Sequence, residues 1–206
     1  MDVAMLGNSG VRVSRLALGL AFRGQTNESL MEATIHRALD RGITFFDCAN
    51  DYGRTSTDPY GGPAERTLGR AIAGRRDEVV LTTKVGFDTG PGPNDSGGSR
   101  LHIMREIERS LGRLATDHVD IYLVHVRDPN TVLEETVTAM MDVVRQGKAR
   151  AWGICNFQAW EGATALHLAR GFGGTPPILM QNPYNLLNRS VETEMLPFCR
   201  NEHLGF

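Results

Sequence analysis

Six short apolar runs, each followed by a segment of helical period, constrain this chain more than any other feature of it. They are RLALGL (15–20), ITFFDC (43–48), VVLTTK (79–84), VDIYLVH (119–125), ARAWGIC (149–155) and PILMQN (177–182). Between them, Ile103, Ile107, Leu111 and Leu114 mark one apolar helix face, and Leu133, Val137, Met140 and Val144 mark another. Strands alternating with helices predict a parallel sheet covered by helices. No GxGxxG follows the first run, which argues against a doubly wound dinucleotide fold. The pattern favours α/β architecture of the (β/α) barrel type, whose functional groups lie at the C-terminal ends of the strands.

Local signals agree with that reading. LGNSGVRVS (6–14) has the turn residues of an N-terminal β-hairpin that would plug the bottom of the barrel. Pro63 suits a first helical turn, Thr131 and Glu134 have capping-box spacing, and Gly147 sits where a helix would stop. Glu65 fits the first turn after Pro63 without any chemistry. The Gly/Pro-rich stretch 88–100 predicts a long loop that flanks a site. With 206 residues and 41% hydrophobic residues, the chain is expected to form a single domain over 1–206.

Charge and cysteine usage exclude several function classes. A net charge of -2 without a basic stripe argues against nucleic acid. Three widely spaced cysteines form neither a disulfide framework nor a zinc cluster, and fit a reducing cytoplasm. No apolar run reaches the length of a membrane span, and the N-terminus lacks the pattern of an export signal. The six histidines include no HxH pair at a strand end, so a metal-dependent hydrolase is disfavoured and no metal is expected.

The strand ends carry a polar set: Asp47, Lys84, His125, Asn156 and Gln181. With a period of two, Phe45 and Asp47, Thr82 and Lys84, and Leu123 and His125 share the inward face. This reads as a proton-transfer site. A phenol is a poor acid near neutrality, and the Lys84 ammonium within reach of Tyr52 is expected to lower its pKa. Asp47 would keep Lys84 charged and aimed, while His125 would hydrogen-bond a carbonyl oxygen.

The motifs FDCANDYG, GGPAERTLGRAI, LTTKVG, DIYLVH, GICNF and QNPYNLLNR, in this order, closely resemble the aldo-keto reductases, from about Leu6 onward. The resemblance implies a TIM-type (β/α)8 barrel and a catalytic tetrad of Asp47, Tyr52, Lys84 and His125. It further implies hydride transfer from NADPH, with NADH as the alternative, to a small-molecule aldehyde or ketone. Asn156 and Gln181, with Cys155 and Asp47 beside them, would face the nicotinamide. Tyr52, His125 and Phe22, beyond the first strand, would contact substrate.

Two departures stand out. Cys155 replaces the serine of the usual GxSN motif, and a thiol is a weak donor, which would weaken carboxamide binding or make the residue a redox-sensitive thiol. The chain reaches HLGF where the family would begin its seventh strand, which gives about six βα units with open edges. A homo-oligomer or a complementing chain would close such a sheet, and an inactive piece of a reductase is the other outcome. The competing function is a regulatory module resembling the reductase-like β subunits of potassium channels.

Overall fold

Apolar residues that alternate along each run can be buried on both faces when helices cover one side and other strands the other. The chain adopts this solution in a computed structural model describing residues 1–56 and 58–206. A hairpin of β1 (Val3–Met5) and β2 (Arg12–Ser14) precedes the parallel sheet β3-β4-β5-β6-β7-β8. These strands are β3 (Ala17–Gly19), β4 (Phe45–Asp47), β5 (Val80–Val85), β6 (Val119–Val124), β7 (Ala149–Cys155) and β8 (Met180–Gln181). The helices are α1 (Glu28–Asp40), α2 (Pro63–Ala71), α3 (Arg100–Leu114), α4 (Leu133–Arg145), α5 (Ala159–Gly171) and α6 (Met195–Asn201). The sheet curls into a half-barrel of the TIM type.

Strand alternation splits the core in two. Phe46, Leu81, Tyr122, Val124, Trp152 and Ile154 pack outward against the helices. Ile121, Leu123, Cys155 and Leu179 face inward, joined by Phe45 and Val80. Leu6, in the hairpin turn, belongs to this inner cluster, so the hairpin closes the end of the half-barrel opposite the strand C-termini. Gly153 is the close-approach point of the inner face: a Cβ there would lie 2.7 Å from the Leu179 carbonyl oxygen and 2.8 Å from Leu123 Cδ2.

Several boundaries differ from the sequence reading. β8 is shorter than the expected 177–182, because Pro176 and Pro177 carry no N–H and Pro183 follows closely. Its outer edge is not bare: Leu179 pairs in parallel with Gly205, whose N–H donates to the Ile178 carbonyl at 2.9 Å. After β8 the expected sixth helical segment, roughly 191–202, divides into a 3-10 turn at Ser190–Glu192 and α6, since the Pro197 ring would clash with the carbonyl four residues back in a longer helix. Thr131 does not cap α4; its hydroxyl donates to Asp128 at 2.7 Å, and the cap position falls on Val132. The α4 face ends on Val143, fully buried, rather than on half-buried Val144.

Glu65 is structural in a stronger sense than a first-turn preference. Fully buried, it accepts from Thr83 Oγ1 of β5 at 2.5 Å and pairs with Arg113 of α3. No helix among the described residues is long and apolar enough to cross a membrane. Gly153→Val would push a branched side chain into backbone and into Leu123. It is expected to destabilise the fold by about 1–3 kcal/mol, read as a lower denaturation midpoint; an unchanged midpoint would contradict the inner-face packing.

Candidate active site

β4 ends at Asp47 and β5 carries Lys84 one position before its end; the parallel register sets Asp47 beside Thr82. Lys84 is fully buried. Its ammonium donates to Asp47 Oδ2 at 2.9 Å, to the Cys48 carbonyl at 2.8 Å and to the Tyr52 hydroxyl at 3.2 Å. Thr82 Oγ1 donates to Asp47 Oδ1 at 2.7 Å and fixes the carboxylate. Burial, the largest single influence, disfavours the ammonium, but the Asp47 carboxylate and the neighbouring Cys155 and Tyr52 together hold Lys84 above its ordinary range.

Tyr52 is reached through a tight loop after β4, and the ammonium also lies 4.7 Å from its ring centroid. Contrary to the lowering expected from the sequence, the Tyr52 pKa is raised. Burial of the phenol dominates and raises it, and the opposing pull of Lys84 is smaller. Tyr52 therefore rests as a protonated phenol, with the ammonium limiting the rise.

His125 follows β6 directly and is buried, its ring edge-on to Tyr52 at 5.7 Å between centroids and to Phe87 at 4.6 Å. The long loop after β5 thus begins at the site wall. His125 Nδ1 lies 3.3 Å from Asp51 Oδ1, and neither atom has a hydrogen bond despite being sealed from solvent. Asp51, Phe87 and Asn50 border this candidate site without having stood out in the sequence, although Asn50 and Asp51 lie inside FDCANDYG. Asn50 donates to the buried Glu106 of α3 at 3.0 Å, while its N–H donates to the Lys84 carbonyl at 3.3 Å. Burial would raise the Glu106 carboxyl, but Arg109, Asn50 and Arg113 together hold it below its ordinary range.

At the neighbouring strand ends, Asn156 has φ 59 and donates through its side chain to the His125 carbonyl at 2.9 Å. Its N–H donates to the Gln181 carbonyl at 3.0 Å, so the two residues are adjacent. Cys155 Sγ donates to Gln181 Oε1 at 3.1 Å. Burial pushes the Cys155 thiol up despite Lys84, which argues against the redox-sensitive thiolate considered from sequence. Phe22 lines a cleft of about 460 Å³ together with Tyr52. Among the described residues no group of three or more His, Cys, Asp or Glu is placed to hold a metal.

Asp47→Asn would leave the buried Lys84 ammonium without its countercharge, a loss of about 3–5 kcal/mol at neutral pH. Because Lys84 titrates higher when folded, the wild-type contribution is present below the unfolded lysine pKa of about 10.4 and fades above it. The gap between wild type and variant should shrink in alkaline denaturation curves; a pH-independent gap would contradict the pair.

Similarity to known proteins accords with this arrangement. The model of the Aldo/keto reductase family matches residues 15–206. The chain is 37% identical over 212 residues to L-glyceraldehyde 3-phosphate reductase of Escherichia coli (strain K12), covering 100% of this chain and 60% of that protein. It is 38% identical over 208 residues to a probable voltage-gated potassium channel subunit beta of Arabidopsis thaliana, covering 100% and 62%. Aldo-keto reductase YhdN of Bacillus subtilis (strain 168) is 35% identical over 211 residues, covering 99% and 60%. The chain thus spans about three-fifths of these relatives. Members of the family generally use nicotinamide cofactors. The adjacent amides fit a carboxamide: Asn156 Oδ1 and Gln181 Nε2 have no hydrogen bond among the described residues, offering one acceptor and one donor. With its motifs, half-barrel and strand-end cluster, the chain belongs to the Aldo/keto reductase family.

Proposed function

We propose that this chain carries a carbonyl-reductase site that converts an aldehyde or ketone to an alcohol with NADPH, or with NADH in its place. The observation that supports this reading is the buried Lys84 ammonium, paired with Asp47 and 3.2 Å from the Tyr52 hydroxyl at the half-barrel mouth. Bound, the reduced nicotinamide supplies the hydride. Asn156 and Gln181 hold its carboxamide, and Cys155 sets the orientation of the Gln181 amide.

Tyr52, a phenol at neutral pH, donates its proton to the carbonyl oxygen. Lys84 stabilises the phenolate left behind, and Asp47 keeps Lys84 charged as that happens. His125 supplies a second donor to the same oxygen, and Phe22 contacts the substrate from the facing loop. A reducing cytoplasm is the proposed location, in keeping with three buried cysteines that form no disulfide. The open edge at β3 supports assembly with a second copy or a complementing chain.

A second reading, a nicotinamide-binding regulatory module, draws on the similarity to a probable voltage-gated potassium channel subunit beta. One experiment separates the two. Carbonyl-dependent NADPH oxidation should be measurable and should fall about 10²–10⁴-fold in Tyr52→Phe, with NADPH binding retained in a fluorescence titration. Binding without turnover in the wild-type chain would favour the module.

A further inference from the structure

The cleft beside Tyr52 carries more positive charge than proton transfer requires. One wall is the turn after β3, where the Gln25 N–H donates to the Phe22 carbonyl at 2.8 Å and sets Arg23 and Gly24 at the tip. Phe22 sits at φ 43, a left-handed conformation that an aromatic residue seldom adopts. Held strain of this kind clusters where a loop is shaped for a ligand. The facing wall is the loop after β4, with Asp51, Tyr52 and Arg54.

Arg54 is fixed by neutral acceptors rather than by a close countercharge. Its Nε donates to the Asp51 carbonyl at 3.2 Å and its Nη2 to the Asp88 carbonyl at 2.7 Å. The nearest carboxylate, Asp51 Oδ2, is 3.9 Å away, and the other oxygen of that group faces His125 at 3.3 Å. Arg23 has no hydrogen bond or ion pair among the described residues. By contrast, Arg70 and Arg113, which border the groove between α2 and α3, are tied to Glu28, Glu32, Glu65 and Glu106. Two guanidinium groups and one carboxylate leave the Tyr52 cleft with a net positive charge.

We propose that Arg23 and Arg54 form an anion-recognition subsite that holds the phosphate or carboxylate of a short carbonyl substrate whose carbonyl lies at Tyr52. The substrate part of this inference rests on the reductase reading above; the anion subsite does not. A volume of about 460 Å³ accommodates a small compound with an anionic end. Guanidinium groups bind both anions bidentately, and the preorganised Arg54 loses little freedom on binding.

Two measurements on the 206-residue chain test this. In the first, calorimetry compares glycerol phosphate with glycerol, neither of which needs turnover. Glycerol phosphate should bind, glycerol should not, and Arg23→Gln should weaken binding about tenfold, with Arg23→Lys recovering part of it and added salt reducing it. Arg23 makes no contact that folding needs, so the variant tests the site and not the fold. In the second, kcat/KM is compared for glycolaldehyde against glycolaldehyde phosphate and for butanal against succinic semialdehyde. The charged member of a pair should be preferred about tenfold or more, and that ratio should drop in Arg23→Gln; the pair with the larger ratio names the anion. Absence of glycerol phosphate binding, or binding indifferent to Arg23, overturns the subsite even if neutral aldehydes are reduced. Arg23-dependent binding without turnover of any aldehyde supports the subsite and overturns the reductase reading.

Discussion

An ammonium removed from water must receive all its hydrogen-bond acceptors from the fold, and Lys84 is such a group. Its three donors meet a carboxylate, a backbone carbonyl and a phenol hydroxyl. Two of these acceptors come from the end of β4 and the residue after it, and the third from the loop beyond. The parallel register of β4 and β5 that builds the half-barrel is therefore the same register that charges and aims the ammonium. Folding and site assembly share one interaction. A sheet shifted by one residue would turn Lys84 toward the helices and leave the phenol unpartnered.

Behind this centre, buried carboxylates of the helices support the loops. Glu106 holds Asn50 two residues before Tyr52, and the Asn50 N–H returns to the Lys84 carbonyl. Glu65 ties α2 to β5 and α3 through Thr83 and Arg113. Isolated buried carboxylates would be costly, but each has at least two partners, which keeps Glu106 ionised. These contacts connect the helical layer to the mouth and restrict the loop that presents the phenol. The strand-end cluster is thereby braced by side chains of the helical layer behind it.

Much of this was legible in the sequence because period two leaves little choice. Once Phe45 faces inward so does Asp47, and the same holds for Thr82 with Lys84 and Leu123 with His125. What was not legible depends on tertiary competition. Thr131 satisfied capping-box spacing, yet Asp128 captures its hydroxyl. The direction of the Tyr52 shift turns on how much water reaches the phenol, which motif order does not encode. The approach of Asp51 to His125 joins two loops that are distant in the chain, and spacing alone could not bring them together. Likewise the β8 edge was expected bare, and Gly205 occupies it at Leu179.

The electrostatic contact between Lys84 and Tyr52 is the centre of the site, and the pKa of that phenol reports on it directly. Tyrosine labelled with ¹³C at Cζ gives four resonances, with Tyr52 assigned by its absence in Tyr52→Phe. In the wild-type chain Tyr52 should titrate above the ordinary tyrosine value of about 10, and it should titrate higher still in Lys84→Met, where burial acts unopposed. A Tyr52 resonance that titrates at the same pH with and without the ammonium would contradict the central contact.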